Sequence, residues 1–212
     1  MLYSPNMTKE EKVKEVYTRL KKIYPNPKTA LDFHNPFELL VATMLSAQCT
    51  DKLVNTITPE LFKKYPDPTS MSKATLEDID SLIKKVTFHN NKAKNIKAAA
   101  EQIVKEHAGK VPDSMKELDD LPGVARKTAN VVLGDAFHKS EGIAVDTHVI
   151  RAVGRLGLSD SDKPEKIEED LMKIVPKAWW IEFPHLLILY GREYAPARPK
   201  SDVTDILKDL YI

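Results

Sequence analysis

Lys127 closes the run Leu121-Pro-Gly-Val-Ala-Arg-Lys127, and Asp146 follows nineteen residues later in Ile143-Ala-Val-Asp-Thr-His148. A lysine amine can displace a leaving group at an electrophilic carbon and hold the product as a Schiff base, whose neighbouring C–H is then acidic enough for elimination. A carboxylate facing that carbon steadies developing positive charge and relays protons. The turn before Lys127 suggests the substrate. Gly123 lets the backbone approach an anion, and the N–H groups opening the next helix, with its dipole, hold a phosphate without reading bases. Beside a docked phosphodiester, Lys127 could attack the sugar C1′, expel the base and then eliminate the 3′ phosphate, with no metal involved. The first turn of a helix, with partial burial, disfavours the ammonium form and frees the amine. Each residue also has a plainer use: Pro-Gly turns usually only connect helices, an exposed lysine pairs phosphate as a point charge, and an aspartate before a helix is an N-cap.

These groups must be carried by helices, because apolar residues recur at three and four while strand-like alternation is scarce. The chain is expected to be all-α. Thr8 and Glu11 form a capping box for a helix with Val13, Val16, Tyr17, Leu20 and Ile23 on one stripe, ending near Pro25. Asn35-Pro36 opens a helix over 37–48 that is apolar nearly all round, as a buried central helix should be. A Lys-rich helix spans about 91–106 and stops at Gly109. Asp113 or Ser114 caps a short helix that ends before Leu121-Pro122-Gly123, and a new one covers 126–137. Further helices are expected over 148–156, 167–175 and 179–190, with a last short one over 203–211 that places Asp202 and Asp205 near its N-terminus.

Length suits one large or two small domains. The single cysteine, Cys49, excludes an internal disulfide and any cysteine-held cluster. Net charge is only +1, but it is uneven: residues 84–110 carry seven lysines against two glutamates, and residues 60–80 three lysines against five acids. The first stretch suits a polyanion, although a solvated helix face has the same composition. The longest apolar runs, 39–45 and 186–190, are far shorter than a membrane span, and no signal-peptide pattern opens the chain. The expectation is a cytoplasmic protein with no membrane association, acting as a monomer.

The run 121–133 followed by Val-Asp-Thr-His strongly resembles the helix-hairpin-helix, glycine/proline-rich, aspartate superfamily of DNA glycosylases, and within it the endonuclease III family. The likeness extends through Phe37-Glu-Leu-Leu40, Leu45-Ser-Ala-Gln-Cys-Thr-Asp51, Asn90-Asn-Lys-Ala-Lys-Asn95 and Leu187-Ile-Leu-Tyr-Gly-Arg192. It implies a base-excision repair glycosylase with abasic-site lyase activity on damaged, oxidised pyrimidines in duplex DNA, with Lys127 and Asp146 as catalytic pair. The implied fold is a six-helix barrel carrying the hairpin (29–139), a second helical domain from both chain ends (1–28 and 140–212), and a DNA cleft between them. The damaged nucleotide is flipped out. Gln48 then fills the gap and Phe88, with His89, wedges the opposite strand; a loop aromatic closing a core is the plainer use of Phe88. Leu121, Gly123, Ala125, Arg126, Thr128 and His148 are expected at DNA, as are Arg198 and Lys200.

Family members typically end in four cysteines that hold a 4Fe–4S cluster. Here those positions fall without a gap on Ala195, Asp202, Asp205 and Tyr211, hard oxygen groups at best, so no cofactor is expected. Ala125 replaces a second hairpin glycine and needs negative φ. Thr87 stands where a glycine commonly precedes the wedge. Two other functions fit the same residues: a mismatch thymine or uracil glycosylase, and a non-catalytic hairpin module that only holds DNA. Adenine glycosylase activity is disfavoured, since Thr43 occupies the position of those relatives' catalytic glutamate.

Overall fold

The computed structural model describes residues 7–195 and 205–212. Among the described residues it is entirely helical. The chain folds as two compact units, one of Thr29–Glu141 and the other of Met1–Lys28 with Gly142–Ile212.

The Thr29–Glu141 unit is built round α2 (Pro36–Ser46), with α3 (Asp51–Lys64), α6 (His89–Glu106) and α8 (Arg126–Phe137) packed on it. Asn35 starts α2 by accepting the N–H of Glu38 at 3.0 Å, and Pro36 fills the first turn, where its missing N–H costs nothing. Residues 37–45 are buried on every face, so the helix needs no polar stripe. Short helices α4 (Pro68–Lys73) and α5 (Leu76–Leu82) lie against α6. Helix α6 offers them Ala93, Ile96, Ala99, Ala100 and Ile103 at spacings of three and four, all buried. Each fully buried Ile or Leu here contributes about 1.5–3 kcal/mol relative to exposure. Ser114 caps α7 (Met115–Asp119), which packs on α8.

The other unit holds α1 (Lys9–Ile23), α9 (Thr147–Leu156), α10 (Pro164–Ile174) and α11 (Glu182–Glu193). The capping box at Thr8 and Glu11 is formed, and the expected stripe is buried at Val13, Val16 and Leu20 while Ile23 is exposed. Tyr17 stacks on Trp179 with ring centroids 3.9 Å apart and planes 4° from parallel, and its hydroxyl donates to Glu182 at 2.7 Å. Helix α9 ends on Gly157, whose φ of +66° suits glycine; Leu158 N–H reaches back to Val153 O. The expected helix over 179–190 is instead a 3-10 turn, Lys177–Trp179, followed by α11. Pro176 and the indole N–H of Trp180, donating to Val175 O at 2.9 Å, bend the chain between them. The expected last helix is corrected too: its described part is a 3-10 turn, Lys208–Leu210. Asp205 is therefore not a helix-dipole residue.

Candidate active site and nucleic-acid interface

The hairpin is α7, the turn 120–125 and α8. Leu121 is buried and anchors the turn, with its N–H on Leu118 O at 3.1 Å and its carbonyl taking Val124 N–H at 3.1 Å. Gly123 is required twice over. Its φ is +75°, and an added Cβ would lie 2.7 Å from the side chain of Asn95 on α6. Asn95 thus seats the turn. Ala125, the N-cap of α8, has φ −104°, so its methyl is unstrained where the family has glycine, and it offers no oxygen to the first-turn N–H groups. The start of α8 keeps the partial positive charge that attracts a phosphate.

Lys127 is the second residue of α8 and is exposed, as is Arg126, while Thr128 is half-buried. The partial burial expected of Lys127 is not met: the hairpin lifts the first turn of α8 out of the core, and only from Ala129 onward does the helix bury its inner face.

In the other unit, Asp146 caps α9. Its Oδ1 accepts the N–H groups of His148 at 2.8 Å and Val149 at 2.9 Å, leaving Oδ2 outside the cap, and the side chain is half-buried. His148 packs on Gly191 of α11, where an added Cβ would lie 3.0 Å from its Nδ1, and Arg151 donates to that same nitrogen at 3.0 Å. Burial, with the charges of Arg151 and Arg192, pushes the His148 imidazole below its ordinary value of 6.5 against the pull of Asp146, so it is neutral near pH 7.

Gln48, just past α2, and Phe88, just before α6, are exposed residues with φ of +56° and +58°. Phe88 is 61% exposed and closes no core. His89 Nδ1 lies 2.6 Å from Asp80 Oδ1, which fixes the loop behind it. Thr43 is buried, and its hydroxyl donates to Leu39 O at 2.7 Å; no catalytic acid stands there. Arg198, Lys200 and Asp202 lie outside the described residues.

The remaining cluster positions do not fit iron and sulfide. Ala195 is buried and has no ligand atom. Asp205 accepts the hydroxyl of Tyr190 at 2.6 Å through Oδ1 and that of Tyr211 through Oδ2, and Leu207 N–H also reaches Oδ1 at 3.0 Å. Arg155 lies over the Tyr211 ring. Burial first, then the bond to Asp205, raises both phenols above their ordinary value of 10. Sequence reading named Asp205 and Tyr211 but missed Tyr190, which looks like one more apolar residue of α11.

A short helix, a Gly-dependent turn and a second helix whose start has no side-chain cap define a helix-hairpin-helix protein. The model of the HhH-GPD superfamily of base excision DNA repair proteins matches residues 41–177, and the chain belongs to that superfamily. It is 48% identical over 191 residues to endonuclease III of Synechocystis (90% of this chain, 87% of that one). It is 45% identical to endonuclease III of Bacillus subtilis (83% and 80%), and 41% to that of Escherichia coli (92% of each). A trapped endonuclease III–DNA covalent intermediate superposes with a TM-score of 0.87 at 40% identity, covering 95% of both chains. A thermostable thymine-DNA glycosylase shares the fold at TM-score 0.79 and 22% identity.

Proposed function

We propose that Lys127 is the nucleophile, and Asp146 its carboxylate partner, of a base-excision repair glycosylase with associated abasic-site lyase activity acting on damaged pyrimidines in duplex DNA. The activity follows the endonuclease III relatives, at 40–48% identity over most of the chain; the residue roles are this chain's own reading. One observation carries it: an exposed lysine in the first turn of α8, directly after a turn that only glycine can make.

Phosphates flanking the lesion dock on the N–H groups opening α8, and the damaged nucleotide leaves the stack. The Lys127 amine attacks C1′ and the base departs with the bonding electrons, taking a proton. Asp146 stabilises positive charge on the sugar as that bond loosens, and its Oδ2 shuttles the amine's protons. The sugar ring opens to a Schiff base, loss of a C2′ proton breaks the C3′–O bond, and hydrolysis frees Lys127. Gln48 fills the vacated stack and Phe88, steadied by His89, wedges the opposite strand. The enzyme acts as a monomer in the cytoplasm; among the described residues no helix is long and apolar enough to cross a membrane.

Borohydride reduction tests this. Wild type incubated with abasic-site duplex should give a covalent adduct, and Lys127→Ala none. An adduct mapping to another residue would refute the assignment.

A further inference from the structure

One buried cation outside the hairpin is spent on loops. Lys92, in the first turn of α6, is 8% exposed, and its Nζ donates to Leu45 O at 2.8 Å and Ala47 O at 2.5 Å. These carbonyls end α2, where acceptors lack helical partners and the dipole favours a cation. The rest of that helix end is closed locally, by Ser46 Oγ on Thr43 O and Cys49 N–H on Ser46 O.

From there the network crosses to the second loop. Cys49 Sγ lies 3.9 Å from Lys92 Nζ, accepts Thr87 N–H at 3.2 Å, and stands 3.5 Å from Thr87 Oγ1. A glycine at 87 would lack that hydroxyl. Lys92 N–H in turn donates to Phe88 O at 3.1 Å. Gln48 and Phe88, both exposed and both left-handed, sit between these tethers. Burying an ammonium group without a carboxylate partner is expensive, so its hydrogen bonds must repay it. Burial pushes the Lys92 ammonium below its ordinary value, opposed by Cys49. Burial pushes the Cys49 thiol up, but the Thr87 hydrogen bonds and Lys92 outweigh it and leave it lowered.

We infer that Lys92 is a positioning residue which, through Cys49 and Thr87, locks the Gln48 and Phe88 turns into one unit that enters DNA as the damaged nucleotide leaves. The inference rests on the reading of Gln48 and Phe88 given under the proposed function. Opening a base pair costs energy that contacts in the opened duplex must return, so gap filling and wedging have to arrive together.

The test compares two substrates. Single-turnover base release from a damaged pyrimidine in a fully paired duplex requires opening; borohydride trapping at a preformed abasic site has no base to unstack. For Lys92→Met, base release should slow about 10- to 100-fold while trapping stays within about twofold of wild type. The fluorescence rise of 2-aminopurine beside the lesion should be delayed in parallel. Cys49→Val should show the same split and Cys49→Ser, which restores an acceptor for Thr87 N–H, should recover most of the rate; this pair decides the matter if Lys92→Met fails to fold. Equal slowing on both substrates, or no slowing on either, overturns the inference. Wild type that neither releases the base nor traps overturns the assigned activity itself.

Discussion

The hairpin and the C-terminal turn treat polar groups in opposite ways. At the hairpin, Ala125 gives the first-turn N–H groups of α8 no cap and Lys127 stands exposed. At the C-terminal turn, Tyr190, Tyr211 and Leu207 all spend their donors on one carboxylate, Asp205. The first region starts a helix with no side-chain cap; the second consumes its hydrogen-bonding capacity internally, in the bonds that converge on Asp205. An uncapped helix start is where a ligand is to be sought, and a carboxylate saturated by internal donors is where stability is.

The largest expected effect separates the two. Lys127→Ala should lower strand cleavage at an abasic site by at least about a thousandfold while changing stability by less than about 0.5 kcal/mol, as an exposed substitution should. A matching fall in melting temperature would place Lys127 in the scaffold. Gly123→Ala should touch both ledgers: positive φ and the Asn95 clash cost about 1–3 kcal/mol in urea denaturation, and the salt-dependent part of DNA affinity should weaken in anisotropy titrations.

Substitution in the C-terminal turn should affect stability alone. Asp205→Asn should cost about 1–3 kcal/mol with single-turnover base release unchanged. The raised phenols of Tyr190 and Tyr211 favour the protonated form in the fold, so their contribution is complete below pH 10 and falls as pH climbs above it toward the folded values. Tyr211→Phe should make alkaline denaturation shallower. The smallest effect belongs to His148. Its lowered value makes its contribution complete above pH 6.5 and lost as pH falls through the folded value. The gap between urea curves at pH 7.5 and 5 should therefore narrow in His148→Asn.

What was legible in the sequence was local. The capping box at Thr8 and Glu11, the Asn35-Pro36 start, the Ser114 cap and the bounds of α8 each depend on residues within a few positions. Lys127 and Asp146 stood out for the same reason, since a turn and a cap announce themselves in neighbouring residues. Long-range partners did not. Lys92 meets carbonyls more than forty residues away, and Tyr190 meets Asp205 fifteen residues on; nothing in either local pattern distinguishes them from a surface lysine or a core tyrosine. The exposure of Lys127 depends on how far the hairpin stands off the core, which periodicity does not encode.

The stacked Tyr17–Trp179 pair has a practical consequence. The chain's two tryptophans are adjacent and both fall in the unit of Met1–Lys28 with Gly142–Ile212, so indole emission is blind to the other half of the molecule. Ellipticity at 222 nm, by contrast, samples every helix. Two melting curves that fail to coincide would reveal that the halves come apart separately, with no label added.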